Sequence, residues 1–252
     1  MDSIENAVVL LSADIDGTLL GDTEGLAELG YFLQTQEKAE IIFSYNTGRT
    51  VEKVIELIQQ AQLPEADYII GGVGTRIYSV QDNSYLPEFT ASFSDFDREK
   101  IHNLLSSAVK EIKLQDKGSQ SRYKLSYTLS NPNVIHRVKT KVENTLISHT
   151  IDARVLLSSH IYLDILPAGS GKGPALKWLA EYLGIPHKNI IAAGDSANDK
   201  DMLSLYSINP IVVSNSLPEL IEAMKGKDFY LTKLSAAQGV LEGVKHFLQT
   251  GG

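Results

Sequence analysis

Two aspartates near the amino terminus have the types and the spacing to do chemistry. Asp14 and Asp16 directly follow the apolar run Val8–Ala13, and Gly-Thr follows them. A short apolar run bounded by turn residues is typical of a buried strand in a parallel sheet. Because residues i and i+2 of a strand point the same way, we expect the two carboxylates to emerge side by side. Two carboxylates at such a short distance repel each other, so one of them must bind a cation or take up a proton. A metal-bound carboxylate beside a protonated one would be a nucleophile beside a general acid.

The same pattern has a plainer interpretation, because two acids followed by Gly-Thr also form solvated turns. Three later segments favour chemistry: residues 44–49 (SYNTGR), 171–173 (GKG) and 194–199 (GDSAND). Each follows a predicted strand or opens a predicted helix, and open α/β sheets bind ligands at the carboxyl ends of their strands. The four segments offer an aspartate pair, a hydroxyl with backbone amides, a lysine and an acidic cluster. Phosphoryl transfer needs these parts: an in-line nucleophile, a metal and donors to the phosphoryl oxygens.

The hydrophobic periodicity predicts the elements that must position these residues. Up to residue 79, and again after residue 167, strands alternate with helices, which is typical of a parallel sheet with helices on both faces. From about residue 80 the pattern changes, and residues 122–129 alternate strictly between apolar and polar, as in an antiparallel sheet with one covered face. We therefore predict an α/β, Rossmann-like core over residues 1–79 and 160–252. An inserted α+β cap domain over residues 80–159 would act as a lid.

The composition limits the class of protein. The chain has 252 residues, of which 43% are hydrophobic, so a sizeable core is available. Its 23 basic and 31 acidic residues give a net charge of −8, which disfavours nucleic-acid and anionic-membrane partners. Cysteine is absent, which excludes disulfide scaffolds, zinc-thiolate sites and thiol nucleophiles. The first residues carry acids where a signal peptide needs bases, and no apolar stretch is long enough to span a bilayer, so we expect a cytoplasmic enzyme.

Taken together, the four segments resemble the haloacid-dehalogenase-like superfamily of aspartate-nucleophile phosphatases. Asp-x-Asp-Gly-Thr, Thr-Gly-Arg, an isolated lysine and Gly-Asp-x-x-Asn-Asp occur in that order, and the insert lies where the type-two cap class has its cap. Within that class, residues 68–78, 124–127 and 212–220 resemble the sucrose-phosphatase branch, which hydrolyses phosphorylated disaccharides and similar glycosides. Related branches that act on mannosylfructose phosphate, glucosylglycerol phosphate or mannosylglycerate phosphate remain open.

The resemblance implies a role for each residue that matches a motif. Asp14 would attack phosphorus and form an aspartyl-phosphate. Asp16 would protonate the leaving sugar oxygen and then activate the hydrolytic water. Thr47 and Gly48 would hold phosphoryl oxygens through a hydroxyl and an amide, and Lys172 would pair with the phosphoryl group and with Asp14.

The resemblance also implies a magnesium site. Asp195 and Asp199 would bind Mg²⁺ together with the Asp14 carboxylate and the Asp16 backbone carbonyl, because Mg²⁺ prefers hard oxygen ligands. Asn198 would support the metal loop from behind.

Four further residues are candidates for substrate contact: Arg49, Gly74, Thr75 and Lys124. Each has a structural alternative. Arg49 could form a surface salt bridge, the glycines near residue 74 could serve a turn, and Lys124 could lie on a solvated sheet face. In the metal loop, Asp199 could instead cap the helix that follows.

We therefore predict a phosphoric monoester hydrolase that cleaves a sugar phosphate with Mg²⁺ through an aspartyl-phosphate intermediate. A sugar phosphate would be its small-molecule partner, with no nucleic-acid or membrane partner. One alternative is a sugar phosphomutase, similar to phosphomannomutase, which returns the phosphoryl group to sugar rather than to water. Another is a catalytically silent regulatory protein that only binds phosphate. The identity of the sugar and the oligomeric state do not follow from the sequence.

Overall fold

Strands and helices alternate through most of the computed structural model, which describes residues 7–158 and 161–250. The strands, in chain order, are β1 (Val8–Ala13), β2 (Glu40–Asn46), β3 (Tyr68–Gly71), β4 (Arg76–Ser79), β5 (Ser84–Tyr85), β6 (Ile112–Leu114), β7 (Leu125–Leu129), β8 (Ala153–Ser158), β9 (Tyr162–Pro167), β10 (Ile190–Gly194), β11 (Asn209–Val212) and β12 (Tyr230–Leu231). The helices are α1 (Thr23–Thr35), α2 (Val51–Gln59), α3 (Pro87–Thr90), α4 (Arg98–Ala108), α5 (Ile135–Ser148), α6 (Lys172–Tyr182), α7 (Lys200–Leu203), α8 (Pro218–Ala223) and α9 (Ala236–Thr250). Within the described ranges, every helix is too short or too polar to cross a membrane.

Eight strands form the larger sheet, in the order β12-β11-β10-β1-β2-β3-β4-β5. Neighbours from β12 to β3 are parallel, and β4 and β5 extend the sheet in antiparallel fashion. The chain begins in the middle at β1, moves outward through β2 and β3, and returns much later to β10 on the opposite side of β1. Such a reversal of strand order leaves a crevice at the carboxyl ends, where α/β proteins bind ligands. The predicted α/β core is confirmed.

Helices cover both faces of this sheet. On one face, Val9 and Leu11 of β1 belong to an apolar cluster with residues of α1, α2 and α9. On the other face, Leu10 belongs to a second cluster with Leu176 of α6 and residues of α7 and α8. Because successive side chains of β1 are buried on opposite faces, the strand must be apolar throughout, which explains the unbroken run before Asp14.

The smaller sheet is antiparallel, in the order β6-β7-β9-β8. One face packs against α4 and α5, with Leu105, Val142, Leu125 and Leu163 in a single buried cluster. The other residues of β7 alternate onto the opposite face, which is polar and turns toward the core. The inserted α+β module is therefore present as a helix-covered sheet.

The strand pairing favours limits for the two units other than the expected ones. The strand β5 belongs to the larger sheet, and Phe89 packs on Trp178 of α6 with ring centroids 5.3 Å apart, so the core continues past residue 79. The expected return at residue 160 lies outside the described residues, but β9, which follows it, pairs with β7 and β8 in the smaller sheet. We therefore propose that the cap spans residues from about 94 to about 167.

Candidate active site

Three neighbouring parallel strands end side by side and bring the predicted residues together. Register pairs Ala13 of β1 with Ala193 of β10, and the Asp14 amide extends the ladder by donating to the Ala193 carbonyl at 3.0 Å. The residues that follow β10, β1 and β2 are Asp195, Asp14 and Thr47, and the register places Asp195 and Thr47 one residue beyond the level of Asp14. Separate sequence motifs converge here because their strands are adjacent and end within one residue of the same level.

Lys172 is the first residue of α6, and its side chain is completely buried. Its ammonium lies 2.8 Å from Asp14 Oδ1 and 2.6 Å from Asp199 Oδ1. The amide of Asn46, at the end of β2, donates to the Lys172 carbonyl at 3.0 Å and fixes the start of the helix. A buried ammonium held by two carboxylates and an anchored backbone is a fixed part of the site, not a mobile surface lysine.

Oxygens of three buried carboxylates, from Asp14, Asp195 and Asp199, lie within 4.8 Å of one another. Burial raises the pKa of Asp14 to about 7, although the ion pair with Lys172 opposes the shift. Burial and the neighbouring Asp199 raise the pKa of Asp195 to about 6. The two carboxylates raise the pKa of Lys172 despite its burial, which acts to lower it. When ionised, three carboxylates facing one ammonium leave an excess of two negative charges, which a divalent cation would neutralise.

The three carboxylates differ in how many oxygens they offer. Asp199 Oδ1 accepts from Lys172, and its Oδ2 accepts from the amides of Asp195 at 3.1 Å and Ser196 at 3.0 Å. The hydrogen bonds between Ser196 and Asp199 form a capping box at the 3₁₀ turn 197–199. Both oxygens of Asp199 are therefore committed to orienting the lysine and the loop, which makes Asp14 and Asp195 the better donors to a cation. Asp195 is itself oriented by the Thr18 hydroxyl, which donates to its Oδ1 at 3.0 Å.

Asp16 has a different environment from Asp14, although both line the same cleft. Its side chain is 56% exposed, and both of its oxygens accept from Arg49, at 2.6 Å from Nη2 and 2.8 Å from Nε. The hydrogen bonds that this carboxylate accepts raise the pKa of Arg49. The Asp16 carboxylate does not belong to the three-carboxylate cluster found in the described residues, so the implied role of Asp16 at the cation is left to its backbone carbonyl.

A cleft of about 450 Å³ lies between the two sheets. Its floor, on the core side, includes Asp14, Asp16, Gly48, Arg49, Asp195 and Asn198. Lys172 and Asp199 do not line the cleft and are buried directly beneath this floor, where Lys172 contacts Asp14. Its roof, on the cap side, includes Gln115, Ser119, Lys124, Leu156, Leu157, Tyr162 and Asp164. The predicted residues Gly48, Arg49, Lys124 and Asn198 thus share one cavity with the aspartates.

Lys124 joins the roof to the floor. Its ammonium donates to the Gly48 carbonyl at 3.1 Å and lies 3.8 Å from Asp164 Oδ2. The Ser126 hydroxyl donates to the other oxygen of Asp164 at 2.5 Å. The lysine side chain is buried and lies at the cleft wall, so it contacts the turn that would hold a phosphoryl group as well as any ligand in the cleft.

Two predicted substrate contacts, Gly74 and Thr75, do not line this cleft. A Cβ on Gly74 would lie 2.0 Å from the Gly171 carbonyl oxygen, so this glycine, at φ +72°, permits close approach of backbone rather than of substrate. Thr75 is buried, and its hydroxyl donates to the Gly72 carbonyl at 2.9 Å. We therefore assign both positions to the packing of the turn beside Lys172. Thr47 is also buried, with its hydroxyl accepting from the Arg49 amide at 3.2 Å.

Sequence reasoning missed several residues of the site. Asn46 and Thr18 lie inside the recognised motifs, and their polar character at the end of a buried strand was the available signal. Asp164 lies on β9, where it interrupts an apolar run, and that interruption could have marked it as a cleft residue. Gln115, Ser119 and Tyr162 carry no sequence signal, because only the assembled sheet brings them to the roof.

The chain is similar in sequence to known sugar-phosphate phosphatases. The family model described as sucrose-6F-phosphate phosphohydrolase matches residues 7–248. The mannosylfructose-phosphate phosphatase of Agrobacterium fabrum is 32% identical over 241 residues, which cover 94% of this chain and 96% of the relative. Sucrose-phosphatase 1 of Nicotiana tabacum is 28% identical over 263 residues, which cover 98% of this chain and 61% of that longer protein.

The fold is similar to that of a solved sucrose-phosphatase. The X-ray structure of the enzyme from Synechocystis sp. PCC6803, in complex with sucrose and phosphate, superposes with a TM-score of 0.83 at 28% identity and covers 98% of both chains. A haloacid dehalogenase-like hydrolase from Bacteroides thetaiotaomicron shares the fold, with a TM-score of 0.67 at 16% identity. Matched along nearly its whole length, the chain belongs to the sucrose-6F-phosphate phosphohydrolase family of haloacid-dehalogenase-like phosphatases.

Proposed function

We propose that this enzyme hydrolyses the phosphate ester of a phosphorylated disaccharide or similar glycoside, with Mg²⁺, through an aspartyl-phosphate on Asp14. The observation that carries the proposal is the buried cluster of Asp14, Asp195, Asp199 and Lys172 at and beneath the floor of the cleft. The substrate class is supported by the names of its relatives, which act on mannosylfructose phosphate and sucrose phosphate.

The donor set fits a magnesium ion. Its ligands would be carboxylate oxygens of Asp14 and Asp195 and the backbone carbonyl of Asp16, with water completing the octahedron. A bound Mg²⁺ would offset the charge of the phosphoryl oxygens and orient the group for in-line attack. The excess of two negative charges in the ionised cluster favours a divalent over a monovalent cation.

Asp14 would act as the nucleophile. Its ionised carboxylate attacks phosphorus, a new bond forms between its oxygen and phosphorus, and the bond from phosphorus to the sugar oxygen breaks. The ion pair with Lys172 opposes burial, which raises the pKa of Asp14 to about 7, and it holds the carboxylate in place. A bound Mg²⁺ would further favour the ionised form. The backbone amide of Gly48 and the hydroxyl of Thr47 would hold phosphoryl oxygens.

Asp16 would complete both halves of the reaction. In its protonated form it gives a proton to the leaving sugar oxygen. In its ionised form it then takes a proton from water, which attacks phosphorus, releases inorganic phosphate and restores the Asp14 carboxylate. In the structure both oxygens of Asp16 accept hydrogen bonds from Arg49, so the carboxyl group must release Arg49 before it can carry and donate a proton.

The roof of the cleft would bind the sugar. Gln115, Ser119, Tyr162 and Asp164 present amide, hydroxyl and carboxylate groups, which suit the donors and acceptors of neutral sugar hydroxyls. A cavity of about 450 Å³ is large enough for a sugar of two rings rather than one. The roof therefore favours a phosphorylated disaccharide over a simple hexose phosphate.

A phosphate-release assay over a panel of esters tests the proposal. The panel contains sucrose 6-phosphate, mannosylfructose phosphate, trehalose 6-phosphate, glucosylglycerol phosphate and hexose phosphates, each with Mg²⁺ and with chelator. We expect one phosphate released per ester lost, from a disaccharide phosphate and only with Mg²⁺. Loss of substrate without free phosphate would indicate a mutase, and no reaction on any ester would indicate a protein that only binds phosphate.

A further inference from the structure

A cap arginine reaches into the core beside the active site. Arg154 lies on β8, the edge strand of the smaller sheet. Its Nη1 donates to the Ser170 carbonyl at 2.7 Å and to Asp201 Oδ2 at 3.0 Å. Ser170 belongs to the loop before α6, and Asp201 belongs to α7, so one guanidinium connects the cap to two separate core segments.

These two segments carry the buried ion pair of the site. Ser170 stands two residues before Lys172, and Asp201 stands two residues after Asp199. The side chains of Lys172 and Asp199 meet 2.6 Å apart beneath the floor of the cleft. Arg154 therefore links the two backbone segments that position Lys172 and Asp199.

The guanidinium of Arg154 packs closely against the backbone of Gly171. A Cβ on Gly171 would lie 2.0 Å from Arg154 Nη1 and 2.6 Å from Asp201 Oδ2, so the arginine occupies the space that a side chain at position 171 would need. Asp201 Oδ1 is buried and has no hydrogen-bond partner among the described residues. Loss of Arg154 would leave Asp201 as a partly buried, unneutralised carboxylate close to the acidic cluster.

Resting on the function proposed above, we propose that Arg154 is a positioning residue that sets the distance between Lys172 and Asp199. Arg154 does not line the cleft, so it acts through the two backbone segments and not on substrate. Because it projects from the cap, the same contact makes the geometry of the floor depend on where the cap lies. Displacing a reacting group by 1 Å can cost about 100-fold in rate, so loss of the Arg154 contact should lower kcat.

Steady-state kinetics on two esters provides the test. The substrates are the best sugar phosphate from the panel and p-nitrophenyl phosphate, a small ester with little to contact in the roof. We expect Arg154→Ala to lower kcat by about 10- to 100-fold on both esters, with KM for the sugar phosphate changed by less than about threefold. Arg154→Lys should recover part of the loss, because it keeps the charge but lacks the planar, rigid guanidinium that holds Nη1 between its two acceptors.

Two further measurements distinguish a positioning role of Arg154 from an unspecific loss of structure in the variant. Combining Arg154→Ala with Asp201→Asn should cost no more than the worse single change, since both remove one linkage. Calorimetric titration with inorganic phosphate, in the presence of Mg²⁺, should show weaker binding to Arg154→Ala than to wild type. Arg137→Ala is the matched control, since Arg137 lies on α5 of the cap and pairs only loosely with Glu111 at 4.0 Å; it should leave every readout unchanged.

Three outcomes would overturn the role of Arg154: unchanged kcat on both esters, a loss confined to the sugar phosphate, or additive effects in the double variant. If Arg154→Ala does not fold, Arg154→Lys and Asp201→Asn keep the bulk of each side chain and decide the question alone. If the wild type releases phosphate and the variants have the same kcat, only the role of Arg154 fails. If wild type releases none from any ester, the proposed function itself fails.

Discussion

The floor and the roof of the cleft differ in how their side chains are held. On the floor and directly beneath it, Asp14, Lys172 and Asp195 are buried, and each has ion-pair or hydrogen-bond partners from distant parts of the chain. On the roof, Gln115 and Tyr162 are half-buried to exposed and face the cavity with polar tips. Fixed charges suit a step that is the same for every phosphate ester, whereas adaptable polar groups suit the recognition of one sugar. Changes in the floor should therefore affect all substrates, and changes in the roof only some.

The largest expected effect is at the nucleophile. Asp14→Asn should lower kcat by on the order of 10⁴-fold or more on every ester, because no oxygen remains that can form the acyl phosphate. The fold should persist, since the amide removes a buried charge. Phosphate release and thermal melting, on freshly purified protein checked by mass for deamidation, measure the two effects. Normal turnover in an intact Asn variant would exclude Asp14 as the nucleophile.

The next largest effect is expected at Lys172, the buried lysine beneath the floor of the cleft. Lys172→Met should lower the free energy of unfolding by about 3–5 kcal/mol, because Asp14 and Asp199 lose their common partner. Activity should fall on large and small esters alike. Denaturant unfolding measures the stability, and Lys177→Met, on an exposed part of the same helix, is the control. An unchanged unfolding midpoint would show that the ammonium does not hold the carboxylates together.

Mg²⁺ binding should depend on pH through the same floor residues. The pKa of Asp14 is about 7 and that of Asp195 about 6, both above the ordinary value of 3.8, so protons compete with the cation as pH falls. A carboxyl whose pKa is raised by folding destabilises the metal-free protein as pH rises from about 4 to 7. We therefore expect Mg²⁺ to raise the melting temperature more at pH 8 than at pH 5.5. An equal rise at both pH values would contradict a site built on these two groups.

The smallest expected effect is on the roof. Tyr162→Phe should lower kcat/KM for the preferred disaccharide phosphate by about 5- to 10-fold, the value of one hydrogen bond, and leave p-nitrophenyl phosphate unaffected. Tyr206→Phe is the matched control, because Tyr206 is 86% exposed and lies outside the cleft. A loss shared by both esters would mean that Tyr162 supports the chemistry and not the recognition of the sugar.

The same division explains what the sequence could predict. The motifs of Asp14 and Asp195 are contiguous and directly follow adjacent buried strands, so strand order brings these two residues together. Lys172 is added by the start of α6. The roof has no such rule, since Gln115 and Tyr162 meet only when β6, β7, β9 and β8 pair. For Gly74, the sequence indicated a turn beside substrate, but whether substrate or backbone fills the adjacent space depends on the loop before Lys172, almost one hundred residues later.

The end of a helix was harder to predict where an apolar residue fits both the helical spacing and the alternation of a strand. Ile112 lies four residues after Ala108, so its spacing alone fits a continuation of α4. The helix ends at Ala108, and Ile112 begins β6, which pairs with β7. Tertiary pairing decides such cases, because a single apolar residue satisfies both patterns.

The contacts of Arg154 with Ser170 and Asp201 have a consequence for attempts to recombine these enzymes. A cap taken from a relative to alter which sugar is accepted brings its own edge strand, and with it whatever residue stands at position 154. Where that residue is not an arginine, the Ser170 carbonyl and Asp201 lose the partner that the cap supplies. We therefore expect such a chimera to keep its turnover only when the donated cap retains an arginine at this position.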